Sequence, residues 1–156
     1  MWVACQAPIL SAEVPLIVVN WSPQDGASDV CPTWPVSVCF NEPLETSRIT
    51  GNVLLGASEQ CNPGSPIANG GTVAAQVQRG DQALSGGSAY CAVITPTKPL
   101  AASTCYTVEV EGQDLGAGDG VAGEISDGGI DLLPVTLRSL FQTAPSSASC
   151  IAADAG

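Results

Sequence analysis

The chain has 156 residues, of which 15 are acidic and 4 are basic, so its formal charge at pH 7 is −11. This charge would repel a phosphate backbone, which excludes nucleic acid as a partner. The sequence contains no histidine, so Ser-His-Asp and Cys-His nucleophiles, His-ligated metal or haem, and histidine proton relays are excluded too. The 17 glycines and 12 prolines argue against long helices.

Short runs rich in β-branched residues, separated by turn residues, predict an all-β domain over residues 16–143. Residues 1–15 are expected to form an anchor or linker, because residues 6–15 hold two prolines and show no apolar periodicity. Residues 144–156 are expected to form a flexible tail. Seven strands are predicted, at residues 16–21, 34–41, 51–56, 72–79, 89–95, 105–111 and 135–143.

Apolar and polar residues alternate in the second and sixth predicted strands, which indicates one buried face on each. In the second strand Val36, Val38 and Phe40 form the apolar set. The opposite faces of the two strands, predicted to be solvent-exposed, carry Ser37, Cys39, Cys105, Thr107 and Glu109. Seven short strands with this patterning favour a seven-stranded antiparallel Greek-key sandwich.

Seven cysteines are scattered along the chain without the Cys-x-x-Cys spacing of zinc or redox centres. With one lysine and no histidine, they suit an oxidising compartment outside the cytoplasm. The odd cysteine is predicted to be Cys5, because Trp2-Val3-Ala4-Cys5 resembles the end of a bacterial lipobox, whose cysteine is acylated. Only four residues precede Cys5, so the lipid anchor requires a longer leader; the alternative is a free or intermolecular thiol.

The stretch SPQDGASDVCPTWPVSVCFNEPLETSRITGNVLL, residues 22–55, resembles the bacterial Ig-like domain of S-layer and other cell-surface proteins. Its landmarks there are Pro23, Asp25, Gly26, Ala27, Val30, Phe40, Glu42, Pro43 and Ser47. The likeness continues to about residue 143 through Pro99-Leu100, Tyr106-Thr107-Val108, Asp114, Gly120 and Phe141-Gln142-Thr143.

This resemblance implies an Ig-like fold and a cell-envelope setting, and it implies no catalytic residues. The chain departs from the family in its cysteines and in its long stretches at 57–71 and 112–134. The landmarks themselves have structural explanations. Asp25-Gly26 suits a turn, and Tyr106 after a Pro-Leu corner suits a tyrosine corner, in which the hydroxyl bonds back to the main chain.

The glycine-rich loop 111–131 is the most conspicuous candidate for a ligand site. Ca²⁺ binds six to eight oxygens in flexible geometry, and the loop offers several carboxylates without the EF-hand spacing. The alternative is a solvated loop whose Asp and Gly serve turns. The carboxylates are Glu111, Asp114, Asp119, Glu124, Asp127 and Asp131; the candidate ligands of a weak calcium site are Asp114, Asp119, Glu124 and Asp127. No other cofactor is expected.

We expect no enzymatic activity and assign no catalytic residue. Two flanking carboxylates could hydrolyse a glycosidic bond, but Glu109 and Glu111 share the outer face of one strand, and no other pair stands out. Serine nucleophiles lack a histidine, and only Lys98 could act as a base. Trp21 and Trp34 could form a ligand patch if exposed; the alternative, which we favour, is that they cover the sandwich.

Strand order in a Greek key selects one of the 15 pairings that six cysteines permit. Cys39 and Cys91 are predicted near the upper ends of neighbouring strands, and Cys61 and Cys105 at the lower end of the other sheet. Cys31 is then left with Cys150. All three bridges are predicted to staple the surface.

The sequence therefore favours a non-catalytic structural or interaction module of the bacterial cell envelope, secreted or anchored through Cys5, whose partners are other envelope or surface proteins. One alternative is a small Ca²⁺- or carbohydrate-binding domain that uses loop 111–131. Another is a subunit of a surface filament, in which residues 6–15 would serve as an exchanged strand.

Overall fold

A computed structural model describes residues 15–84, 87–115, 120–124, 130–146 and 150. Its helical parts are two single 3₁₀ turns, Thr46–Arg48 and Gln113–Leu115, and no helix in these ranges is long and apolar enough to span a membrane. The strands, in chain order, are β1 (Val18–Ser22), β2 (Ala27–Val30), β3 (Val36–Phe40), β4 (Val53–Ser58), β5 (Ile67–Thr72), β6 (Ala75–Arg79), β7 (Gln82–Leu84), β8 (Gly87–Pro96), β9 (Cys105–Val110), β10 (Ala122–Glu124), β11 (Ile130–Leu132) and β12 (Leu137–Thr143).

Two five-stranded sheets form the sandwich. The first has the order β1-β3-β8-β6, with β7 also paired to β8, and the second has the order β2-β12-β9-β4-β5. Strands β10 and β11 form a separate hairpin. The predicted all-β Ig-like sandwich is confirmed. Its pairs are antiparallel except for β2, which runs parallel to β12.

The core lies between the sheets and takes its largest side chains from both. Phe40 from the first sheet and Phe141 from the second are fully buried. Trp21 and Trp34 are half-buried and pack against this core, which agrees with the interpretation that they cover the sandwich. The other large, fully buried residues are Leu16, Val36, Val38, Leu44, Ile49, Val53, Leu55, Ile94, Val110 and Val121.

Five strands fall in segments that the sequence marks as turns or loops. β7, β10 and β11 have only three residues each. β2 and β5 have four and six residues, and their glycine and polar content resembles that of loops. β2, β5 and β7 form because neighbouring strands offer hydrogen-bonding edges, whereas β10 and β11 pair with each other. β2, for example, is added to the edge of β12.

The Asp25-Gly26 turn carries the chain from the first sheet to the second. The Asp25 carboxylate accepts a hydrogen bond from the main-chain N–H of Leu140 at 2.8 Å. The N–H of Gly26, whose φ is +83°, donates to the Leu140 carbonyl at 2.7 Å. The turn therefore holds both main-chain polar groups of one β12 residue, which gives this motif its structural role.

The predicted tyrosine corner is present. Tyr106 is 5% exposed, and its hydroxyl accepts a hydrogen bond from the Ala101 N–H at 2.8 Å. Its ring stacks on that of Phe141, with 5.8 Å between centroids. The hydroxyl thus fixes the loop that enters β9, while the ring belongs to the core.

We expect Tyr106→Phe to lower the free energy of unfolding by about 1 kcal/mol, because it removes one hydrogen bond and leaves the core ring in place. Urea denaturation measures the change. Tyr90→Phe is the matched control, since the Tyr90 hydroxyl has no hydrogen-bond partner among the described residues. An equal loss in both variants would contradict the corner's role.

The prediction that Ser37, Cys39, Thr107 and Glu109 face solvent is wrong, since all four are at most 9% exposed. Thr107 is covered by the loop after β4, where its hydroxyl donates to the Ser65 carbonyl at 2.9 Å. Alternation assigns residues to a face of the sheet, but it does not show whether a loop covers that face.

The structure contains three disulfides, which join the same residue pairs as those predicted from strand order. Cys39 and Cys91 lie directly opposite each other on β3 and β8, with Cα atoms 3.9 Å apart. This bridge is buried, unlike the predicted surface staple, and forms a small cluster beside the main core. The other two bridges, Cys61–Cys105 and Cys31–Cys150, have Cα separations of 5.6 and 4.7 Å.

The predicted anchor segment lies, apart from Pro15, outside the described residues. At the other end, Ala144 is buried, its N–H donates to the Val30 carbonyl, and its carbonyl accepts from the Ser103 N–H. Together with the Cys31–Cys150 bridge, these contacts attach the described part of the tail to the sandwich.

Candidate functional site

The acidic loop between β9 and β12 is attached to the sandwich at several main-chain points. The N–H of Gln113 donates to the Leu133 carbonyl, and the N–H of Val121 donates to the Glu111 carbonyl, both at 2.9 Å. Gly123 forms an isolated bridge with Leu44 in the connection after β3. The two described ends of the loop are thus fixed, and residues 116–119 and 125–129 lie outside the described residues.

Asp114, a predicted calcium ligand, fastens the loop to the start of β12. The main-chain N–H and the hydroxyl of Thr136 both donate to Asp114 Oδ1 at 2.7 Å. The Thr136 hydroxyl is the main cause that lowers the pKa of Asp114 below its ordinary value. The same Thr136 hydroxyl accepts from the Gly112 N–H at 3.1 Å. Asp114 therefore has a structural function in this arrangement.

Glu124, a second predicted ligand, lies beside an arginine. Arg79 Nη1 is 3.8 Å from the Glu124 carboxylate and donates to the Leu44 carbonyl at 3.2 Å. The same guanidinium forms two hydrogen bonds with Asp81, at 3.0 and 3.1 Å. Arg79 thus joins the end of β6 to the β10 hairpin. Sequence reasoning missed this contact, since no local pattern connects residues 79 and 124.

The remaining predicted ligands, Asp119 and Asp127, lie outside the described residues. Within the described ranges, no three carboxylate, cysteine or histidine groups come together as a metal site. A calcium site in this loop stays a prediction; in the structure Asp114 Oδ1 is held by Thr136, and Glu124 lies beside Arg79.

Glu109 in β9 and Glu111 just after it, the two carboxylates considered for glycoside hydrolysis, have different surroundings. Glu109 accepts a hydrogen bond from Arg138 Nε at 2.8 Å, and it is 9% exposed. Glu111 lies beyond the end of the strand, and burial, followed by the charge of Glu109, raises its pKa. Glu109 is therefore neutralised by an arginine.

The Asp114–Thr136 contact predicts a pH dependence of stability. Because folding lowers the pKa of Asp114 from 3.8, the contact stabilises the fold above that pH and is lost as the pH falls through the folded-state pKa. Asp114→Asn keeps the acceptor oxygen and removes the titration, so we expect its unfolding free energy to fall less on acidification. Urea denaturation at neutral and acidic pH measures this; identical pH dependence in both proteins would contradict the prediction.

A second candidate region is formed by three loops, residues 31–35, 59–66 and 97–104, here called the far end. The Leu100 N–H donates to the Pro32 carbonyl at 2.9 Å, and the Cys61–Cys105 bridge fixes the second loop to β9. The second loop also encloses a depression of about 250 Å³, lined by Glu59, Gln60, Asn62, Pro63, Gly64, Ser65 and Pro66. The lining offers main-chain and side-chain polar groups and no catalytic set.

The loop at 59–66 holds its shape through its own hydrogen bonds. The Gln60 N–H donates to the Ser65 hydroxyl at 2.9 Å, and the Ser65 N–H donates to the Asn62 carbonyl at 3.1 Å. The sequence indicates this loop only through its length and Cys61. The covering of Thr107 by Ser65 could not be anticipated.

Comparison with known proteins agrees with the Ig-like sandwich. The family model described as "Bacterial Ig-like domain" matches residues 12–124, which is well over half of the chain. Comparison with curated proteins finds no match. β12 lies beyond the matched span, although it completes the second sheet. Domains of this family occur in bacterial surface proteins and are generally non-catalytic. The chain belongs to the bacterial Ig-like domain family.

Proposed function

We propose that the chain is a non-catalytic interaction module of a bacterial cell envelope, held at the membrane by a lipid on Cys5. The observation that carries the anchor is the use of the cysteines. Six of the seven cysteines are joined in three intramolecular disulfides. Cys5 therefore has no cysteine left for an intramolecular bridge. The residues just before it, Val3 and Ala4, resemble the small residues that precede the acylated cysteine of a lipobox.

The chain enters the sandwich at the end opposite the far end. Ile17 is fixed there by Asn41, whose N–H donates to the Ile17 carbonyl and whose side chain accepts from the Ile17 N–H. Asn41 follows the last residue of β3, whereas loop 31–35 precedes its first residue. An anchor at Cys5 would therefore direct the far end away from the membrane.

The acidic loop lies at the entry end, because Gly123 pairs with Leu44 just after Asn41. The exposed carboxylates of Asp114 and Glu124 in this loop would lie on the side of the domain nearest the bilayer, where an anionic lipid surface would repel them. This repulsion supports a domain that stands off the membrane on its linker and presents its far end outward.

Two of the three disulfides rigidify the far end. Cys61–Cys105 fixes loop 59–66, and Cys31–Cys150 fixes the start of loop 31–35. Loops that are already ordered lose less conformational freedom on binding, which favours their use as a contact surface. This supports a partner surface at the far end that recognises another envelope protein.

The anchor is tested by expressing the chain in a bacterial host behind a lipoprotein leader. We expect the product to carry a diacylglycerol mass and to partition into detergent, and we expect Cys5→Ser to release it into the aqueous phase. Ser11→Ala, in the same linker, is the control and should stay in the detergent phase. Aqueous partitioning of the unaltered chain would refute the anchor.

The partner surface is tested by a photo-crosslinking residue at Asn62, which is exposed at the far end. A matched probe at Thr50 is also exposed but lies at the entry end, two residues before Asn52, whose carbonyl accepts a hydrogen bond from the Glu111 N–H. In intact cells we expect one discrete crosslinked envelope protein from position 62 and none from position 50. Equal yields from the two positions, or none from position 62, would argue against far-end recognition.

A further inference from the structure

Asn69 and Gly70 lie on a bulge of β5, the last strand of the second sheet. Between the pairs Gly56·Thr72 and Ser58·Ile67, β4 advances by two residues and β5 by five. β5 therefore holds three residues more than its partner strand, and Asn69 and Gly70 have no register partner on β4. Extra residues of this kind leave the ladder and bend away from it.

The bulge leaves the Asn69 side chain open to solvent. Both residues are exposed, Gly70 has φ +74°, and nothing lies within 4 Å of the position that a Cβ on Gly70 would occupy. The Asn69 amide has no hydrogen-bond partner among the described residues. By contrast, the side-chain amides of Asn41 and Asn52 donate to main-chain carbonyls.

We infer that Asn69 is a site of spontaneous deamidation through a cyclic succinimide. The Gly70 main-chain nitrogen loses its proton and attacks the Asn69 side-chain carbonyl carbon. The new N–C bond closes a five-membered ring, Nδ2 takes from water a proton that replaces the one lost by the Gly70 nitrogen, the bond from that carbon to Nδ2 breaks, and ammonia leaves. Water then opens the ring at either carbonyl and yields aspartate or isoaspartate. Asparagine and one water are thus converted to the acid and ammonia, with no change of oxidation state.

Gly70 makes this site differ from the other asparagines. Glycine has no side chain to shield its nitrogen, and it has the main-chain freedom that ring closure requires. Asn20, Asn41 and Asn52 precede the larger residues tryptophan, glutamate and valine. Asn62 precedes Pro63, which has no N–H with which to form the ring.

The product adds a carboxylate to an edge strand of a chain that already has a charge of −11. Charges on edge strands oppose pairing with strands of other molecules. Deamidation at Asn69 would therefore further oppose pairing of this edge with strands of other molecules as the protein ages.

The experiment incubates the disulfide-bonded protein at mildly alkaline pH and follows each asparagine by peptide mapping with an assay for isoaspartate. We expect conversion at Asn69 to precede any at the other four positions. Asn69→Gln should abolish the early release of ammonia, and Gly70→Ala should slow it. Prior conversion at any other asparagine, or unchanged ammonia release from Asn69→Gln, would overturn the inference.

Discussion

Replacement of both Cys39 and Cys91 by alanine is expected to lower the free energy of unfolding by about 2–5 kcal/mol. The bridge joins residues 52 positions apart, so its loss frees a long loop in the unfolded chain. Both cysteines are also at most 1% exposed, so their removal leaves a cavity whose lining loses packing contacts. Urea or guanidinium denaturation of the purified variant measures the loss.

The matched control is the double alanine variant of Cys61 and Cys105. The bridge between these two residues closes a loop of similar length, 44 positions. Cys61 is exposed and Cys105 half-buried, so this variant loses the loop constraint with less cavity. We expect it to be destabilised less, by about 1 kcal/mol or more relative to the buried pair. An equal or greater loss in the control would contradict the buried position of Cys39–Cys91.

Phe141→Ala is expected to cost about 3–5 kcal/mol, the range for truncation of a fully buried aromatic residue. Phe141 is 0% exposed, stacks on Tyr106 and lies in β12, beyond the span that the family model matches. A large loss would show that β12 is part of the same cooperative unit as the matched strands.

Gln142→Ala provides the comparison, because Gln142 is the next residue of β12 and is exposed. We expect it to change stability by no more than about 0.5 kcal/mol. If Phe141→Ala instead proved as mild as Gln142→Ala, β12 would not pack in the core as the structure has it. Denaturant unfolding at neutral pH serves for both variants.

The sequence predicts the parts of the fold that depend on local periodicity and turn chemistry. Val36, Val38 and Phe40 alternate as one buried face requires, and the structure buries them between the sheets. Tyr106 after its Pro-Leu corner predicts the hydroxyl contact that the structure shows with Ala101. These features depend on neighbouring residues, so a single sequence is enough to identify them.

Apart from the cysteine pairs, which follow from strand order, the features that depend on long-range contacts were beyond prediction. Thr107 and Glu109 were expected on a solvent face. Instead, Ser65 covers Thr107 from 42 positions away, and Arg138 pairs with Glu109 from 29 positions away. β5 was missed because its glycines and Asn69 resemble a loop, and only the edge of β4 makes it a strand. Periodicity contains no information about such partners.

The candidate site shows the same division. Composition identified loop 111–131 as acidic, and the structure shows what two of its carboxylates contact. Asp114 holds Thr136, and Glu124 lies beside Arg79. No local sequence pattern predicts either contact. In the sequence, only the cysteines mark the segments that form the far end. That its three loops come together is a consequence of the strand order and is not visible in the loops themselves.

The central claim is that an extracytoplasmic, disulfide-bonded Ig-like sandwich is held at the membrane through Cys5. The most direct test of this claim is mass spectrometry of the mature protein, purified from its native membrane fraction. The peptides are mapped without reduction. The account predicts Cys39–Cys91, Cys61–Cys105 and Cys31–Cys150 peptides, together with an N-terminal peptide that begins at an acylated Cys5. Free thiols at the six paired positions, or a mature chain that retains residues 1–4 before an unmodified Cys5, would contradict it.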